Sequence, residues 1–152
     1  MTDTKLEFIR SELSDIATRR RKIAFLIPEI QSIHYISNEI EKMNIPIVNT
    51  SLYLSEQLKI VAPDHRPFKV SALLRKLIND KNREIVCLYN IEYLFDPELQ
   101  VNPVKLLEAN SGNTVLLVLW PGKAKQGVLY YAAPEHPEYY KNTEYGNSIL
   151  FY

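Results

Sequence analysis

At 152 residues the chain has the length of one domain, and such a chain buries roughly 68–70% of the surface its unfolded form exposes. Its 18 basic and 18 acidic residues cancel, so global charge argues for neither a DNA nor a membrane surface. No apolar run reaches the ~20 residues of a bilayer span, the charged amphipathic start lacks a signal-peptide pattern, and the single Cys87 excludes an internal disulfide. The cytoplasm is therefore the expected location.

Residues 4–18 read as a helix: Thr4 and Glu7 form a capping-box pair, and Leu6, Ile9, Leu13 and Ile16 recur three or four apart. The basic run Arg19-Arg20-Arg21-Lys22 falls where this helix ends, where cations complement the helix dipole. A first strand is expected at Ile23–Ile27. The next helix places Ile30, Ile33, Ile36, Ile40 and Met43 on one face, and a short strand follows at Ile45–Val48. "NTSLYLSEQL" reads as a helix capped by Asn49, Thr50 or Ser51, with Leu52, Leu54 and Leu58 partly buried. After the "VAPDHRP" loop, residues 68–79 form a helix through Val70, Leu73, Leu74, Leu77 and Ile78.

Glu84–Tyr89 is a strand, with the buried thiol of Cys87 inside it. Pro97 suits a helix first turn, Leu106 and Leu107 its buried end, and Asn110-Ser111-Gly112 its stop. Thr114–Trp120 is the most apolar run and is expected as a central strand covered on both faces. Pro121-Gly122 turns the chain into a returning strand at Gly127–Ala132, a loop-like tail follows, and "SILFY" is a last short strand. Strands alternating with helices give an α/β domain with a mainly parallel sheet of about five strands.

Strand, short turn and helix near the N-terminus is the frame in which many α/β proteins hold phosphate, yet this turn is Pro28-Glu29-Ile30-Gln31-Ser32. A phosphate loop needs glycines so that backbone N–H groups converge, a lysine for charge and a hydroxyl for magnesium. All four glycines lie at or beyond Gly112, and the nearest lysines, Lys22 and Lys42, stand before the strand and a full helix away. Ser32, Ile33 and His34 occupy the positions of the Gly-Lys-Ser/Thr end of such a loop, and Glu29 repels polyphosphate. Ile30 and Ile33 are expected to fill the space that phosphates would take.

Three segments carry a further signal: "LFDPEL" at residues 94–99, the Trp120 and Gly122 pair, and "HPEYY" at residues 136–140. In this order and spacing, over roughly residues 20–145, the chain resembles the BrxF family, the small P-loop-type component of type 3 BREX bacteriophage-exclusion systems. The resemblance implies a P-loop NTPase-like three-layer sandwich, a cytoplasmic bacterial protein, and an antiviral defence role beside larger BREX proteins. It also implies a phosphate loop after the first strand, a metal-binding acid near Tyr89, and an arginine after Asn110-Ser111. Here the loop is degenerate, Tyr89 and Asn90 stand where the acid belongs with Glu92 three residues on, and Gly112 replaces the arginine. Loss of lysine, acid and arginine together predicts that the fold outlived its chemistry, because phosphoryl transfer rests on positioning and charge neutralisation.

The expected role is thus a non-hydrolysing interaction subunit, with no catalytic residue, no metal and no cofactor. The alternative is a nucleotide-binding protein or weak ATPase that takes ATP and magnesium through Ser32, His34, Asn90 and Glu92. A second alternative is a nucleic-acid-binding accessory protein that uses the Arg19–Lys22 patch. Glu135, His136 and Glu138 read as hydrogen-bond partners that fix a loop, since a metal site needs three or four converging ligands. Six of the ten tyrosines lie in the last 23 residues, and tyrosine is enriched at interface hot spots. Residues 120–145, with Trp120, Gly122, His136, Glu138, Tyr139 and Tyr140, are therefore the expected interaction surface. The expected partners are other defence proteins or a second copy, with no direct nucleic-acid contact and no membrane.

Overall fold

The computed structural model describes residues 2–28 and 33–152. Five parallel strands form the main sheet: β1 (Ile23–Ile27), β2 (Ile47–Asn49), β3 (Ile85–Tyr89), β4 (Val115–Leu119) and a last strand, β8 (Ile149–Phe151). Their order across the sheet is β2-β3-β4-β1-β8, so the most apolar run, β4, is central as its composition predicts. Every residue of β1 and β4 is buried. Strand side chains alternate between faces, and the two cores follow that alternation. Phe25, Leu116 and Val118 join one core, while Ala24, Leu26 and Leu117 join the other.

Helices cover both faces, giving three layers. α1 (Thr2–Ala17) and α2 (Ile33–Lys42) bury Ile9, Leu13, Ile16, Ile36 and Ile40 against one face. The other face takes α3 (Thr50–Leu58), α4 (Arg66–Lys81) and α5 (Pro103–Ala109), through Leu54, Leu58, Val70, Leu74 and Leu107. Asn49 caps α3 by accepting a hydrogen bond from the N–H of Leu52, whose own side chain is 52% exposed rather than partly buried. No helix among the described residues is long and apolar enough to cross a membrane.

Two expectations are corrected. The chain does not return to the main sheet after Pro121-Gly122. Instead β5 (Lys123–Lys125), β6 (Val128–Tyr131) and β7 (Tyr140–Asn142) form a separate antiparallel sheet, and β7 lies within the tail expected to be loop. Gln126 and Gly127, at φ 51° and 77°, supply the two left-handed residues that a tight hairpin matched to strand twist requires. Nor does a helix start at Pro97. Asp96 caps only a short 3-10 turn, Pro97–Leu99, which Gln100 closes at φ 53°. Asn102 and Pro103 then cap and open α5, with the Asn102 side chain accepting from the N–H of Lys105.

Candidate functional site

Because all five main strands run parallel, their carboxyl ends share one edge of the sheet, the position where open α/β sheets bind ligands. A cleft of about 460 Å³ lies at that edge, lined by Pro28, Tyr89, Asn90, Glu92, Trp120 and Gly122 among others. It brings together one member of the expected phosphate turn, all three of the expected acid region, and two residues of the expected interaction surface. Among its described lining residues there is no lysine, arginine or histidine, and Glu92 is the sole carboxylate.

Asn90 is already committed. It sits at φ 52°, its Nδ2 donates to Oδ1 of Asn49 over 2.9 Å, and its carbonyl accepts from the N–H of Ser51 over 2.8 Å. The Ser51 hydroxyl in turn accepts from the N–H of Tyr93 over 3.0 Å. Asn90 therefore ties the end of β3 to the start of α3, a structural job for the residue beside the expected metal-binding position. Glu92 opens a 3-10 turn, Glu92–Phe95, and is exposed.

The phosphate-turn candidates separate. Pro28 lines the cleft, Ile33 begins α2, and Glu29 and Ser32 lie outside the described residues, as does the expected filling of the turn by Ile30. His34 lines a different hollow, of about 340 Å³, with Ser37, Asn38, Glu41 and Tyr89. The four groups of the nucleotide-binding alternative are therefore not shown converging, since His34 borders one cavity and Asn90 with Glu92 another.

Trp120 corrects the expected interaction surface, because it is only 1% exposed. Its Nε1 donates to the carbonyls of Lys123 (3.1 Å) and Tyr130 (3.0 Å), and its ring stands edge-on to Phe25 and Phe95, each at 5.7 Å. Gly122 is equally structural: a Cβ there would lie 1.9 Å from the carbonyl oxygen of Tyr130. Tyr131 stacks on Phe95 at 4.0 Å, and Tyr140 meets the same ring edge-on at 5.5 Å. The Tyr140 hydroxyl donates to Oδ1 of Asn102 over 2.6 Å and accepts from Nδ2 of Asn142 over 2.8 Å. Phe95 of "LFDPEL", Trp120 and Tyr140 of "HPEYY" thus belong to one aromatic cluster. Tyr145 and Tyr152 are buried as well, leaving His136, Glu138 and Tyr139 as the outward part of the surface. His136 fixes its own loop, its Nδ1 accepting from the N–H of Glu138 over 3.0 Å, as expected of that acidic cluster.

The basic run lies at the opposite edge, at the amino ends of β1 and β8, beside a hollow of about 830 Å³. Lys22 Nζ donates to the carbonyls of Ala17 (2.8 Å) and Arg19 (2.9 Å), closing α1 as its position predicts. Arg19 pairs with Asp15 and donates to the carbonyl of Asn147. Arg21 pairs with Glu108 over 3.1 Å, donates to the carbonyl of Glu144 and covers the ring of Tyr145 at 4.8 Å. Burial, with Glu108 next, pushes the Tyr145 hydroxyl up to about 12, while Arg21 opposes that rise. The buried Cys87 thiol is pushed up by desolvation, which makes it a poor nucleophile. Among the described residues, no three His, Cys, Asp or Glu side chains gather as a metal site.

Compared with protein-family models, with curated proteins and with solved structures, the chain has no match.

Proposed function

We propose that this chain is a non-hydrolysing P-loop-like interaction subunit of a BREX-type antiphage defence system, acting through contacts with other proteins of that system. One observation carries the reading. The cleft at the carboxyl edge, where a nucleotide would sit, has no cation among its described lining residues and holds a carboxylate, Glu92. The turn from Pro28 to Ser32 adds no lysine, arginine or glycine by sequence. A triphosphate there would meet no cation from the described lining or from the sequence of the turn, and no glycine to help form a backbone nest. An interior, fully buried β1 followed after five residues by α2 supports the P-loop-like assignment of the frame. The defence role rests on the three motifs of the resemblance, of which Phe95, Trp120 and Tyr140 pack together.

The test is thermal unfolding with and without magnesium ATP or GTP. A ligand at a hundredfold excess over its dissociation constant stabilises by roughly 2.7 kcal/mol, so binding is easily seen. The expected result is no shift at millimolar nucleotide and no phosphate release. A clear rise in the unfolding midpoint overturns the reading. The pathway is tested separately, by co-purification with the products of adjacent genes. A methyltransferase and a large ATPase are the expected neighbours, and failure to retain either counts against the defence assignment.

A further inference from the structure

Resting on the interaction-subunit reading, we propose that the groove between the Pro97–Pro103 bend and the Pro137–Tyr140 segment docks a basic, extended, proline-containing segment of a partner protein. The groove encloses about 320 Å³, and Phe95, Pro97, Pro103, Pro137, Tyr139 and Tyr140 supply its apolar wall. Polyproline-type segments carry few backbone donors and are recognised by grooves of aromatic rings, into which their own rings and aliphatic side chains fit. Tyr139, 36% exposed, offers an aromatic surface on which a guanidinium or ammonium can also settle.

Charge decides the occupant. The charged groups lining the groove are Asp96 and Glu138, with exposed Glu135 three residues before Glu138. Among the described residues none of these three carboxylates is in an ion pair. Two nearby cations are engaged elsewhere, Arg66 with Glu98 at 3.4 Å and Lys105 with Glu144 at 3.4 Å, and Lys141, beside Tyr140, is exposed but not among the lining residues. The negative field reaches inward, since Glu138 and Glu92 add to burial in raising the Tyr131 hydroxyl above its ordinary range. Such a field repels nucleic acid and attracts a cationic chain.

The groove is also built before any partner arrives. Asn102 Oδ1 accepts from both the N–H of Lys105 and the Tyr140 hydroxyl, Asp96 accepts from the N–H of Glu98, and prolines stiffen both walls. A preformed groove and a stiff ligand together lower the ordering cost of binding.

The experiment is fluorescence anisotropy of the whole chain with a labelled peptide of about ten residues, two arginines preceding a Pro-x-x-Pro core. A control peptide carries glutamates in place of the arginines. The expected result is saturable binding that weakens with salt, with the control at least about tenfold weaker, equivalent to about 1.4 kcal/mol. Glu138→Lys and Tyr139→Ala should each weaken binding by about tenfold while leaving the unfolding midpoint unchanged. The proposal is overturned by no saturable binding below about 1 mM, by equal binding of the control, or by binding that both variants leave intact. It is also overturned if the chain sediments as a dimer that Glu138→Lys dissolves while the peptide fails to bind, which assigns the groove to a second copy. Nucleotide stabilisation is read separately: it removes the non-nucleotide reading and leaves the peptide titration to stand or fall by itself.

Discussion

The two edges of the main sheet invert the usual distribution of charge. At the carboxyl edge, where helix dipoles and strand ends favour anions, the described lining holds Glu92 and no cation. At the amino edge, where the fold offers no such site, Arg19, Arg20 and Arg21 line the larger hollow, and Lys22 follows them in the chain. Yet three of those four cations are engaged with the chain itself, closing α1, holding the 144–147 segment and pairing with Glu108. The basic run is a clasp that fastens the tail before β8 to the amino end of β1 and to α5. Arg19, Arg21 and Lys22 serve architecture, and the described lining of the carboxyl-edge cleft holds no cation.

The largest effect should come from the junction beside the carboxyl edge. Trp120→Ala removes a fully buried ring and two hydrogen bonds, so urea denaturation should show a loss of about 3–5 kcal/mol. Gly122→Ala drives a Cβ into the Tyr130 carbonyl, and a loss of about 1–3 kcal/mol is expected as β6 is forced to shift. A near-neutral result there would mean that the small sheet is not held against the cleft. At the amino edge the response to pH is graded. Above the ordinary tyrosine value of 10.0 the unfolded chain has lost the Tyr145 proton while the folded chain keeps it until about 12. Its contribution is therefore complete below pH 10.0 and declines as pH rises toward 12, which a series of alkaline melting curves will show.

Arg21→Met should cost about 1 kcal/mol, because the pair with Glu108 is only partly shielded. It should also raise the Tyr145 titration midpoint further, followed by tyrosinate absorbance, since Arg21 is the group that lowers it. The smallest effect is expected at the carboxyl edge itself. Glu92→Gln should change stability by less than about 0.5 kcal/mol, because the side chain is exposed and in no ion pair among the described residues. A large loss at Glu92 with none at Arg21 would reverse the contrast between the two edges.

Much of this molecule was legible in local pattern. Ile23–Ile27 matched its strand residue for residue, Asn49 was among the named caps of α3, and the run at 114–120 proved central and buried on both faces. The bend at Pro97 was misread because a proline and a capping aspartate signal a start without saying how long the helix runs. The second signal, Asn102-Pro103, was in the sequence and marked the true beginning of α5. The aromatic tail was misread for a different reason. Tyrosine suits an interface and a sheet-packing layer equally, so counting tyrosines could not distinguish Tyr139, at the surface, from Tyr145, in the core.

By itself the sequence determined the parallel α/β frame, through the alternation of apolar strands with amphipathic helices. It also shows that the turn at 28–32 has neither glycine nor lysine, the residues from which a phosphate loop is built. Tertiary structure alone decided where the charges and rings went. Phe95, Trp120, Tyr131 and Tyr140 are up to 45 residues apart in the chain, and no local period records that they share one cluster. Likewise Arg21 finds Glu108 and Tyr145 only because parallel pairing brings the amino ends of β1, β4 and β8 together. Contacts of that kind depend on strand order, and strand order is a property of the packed sheet.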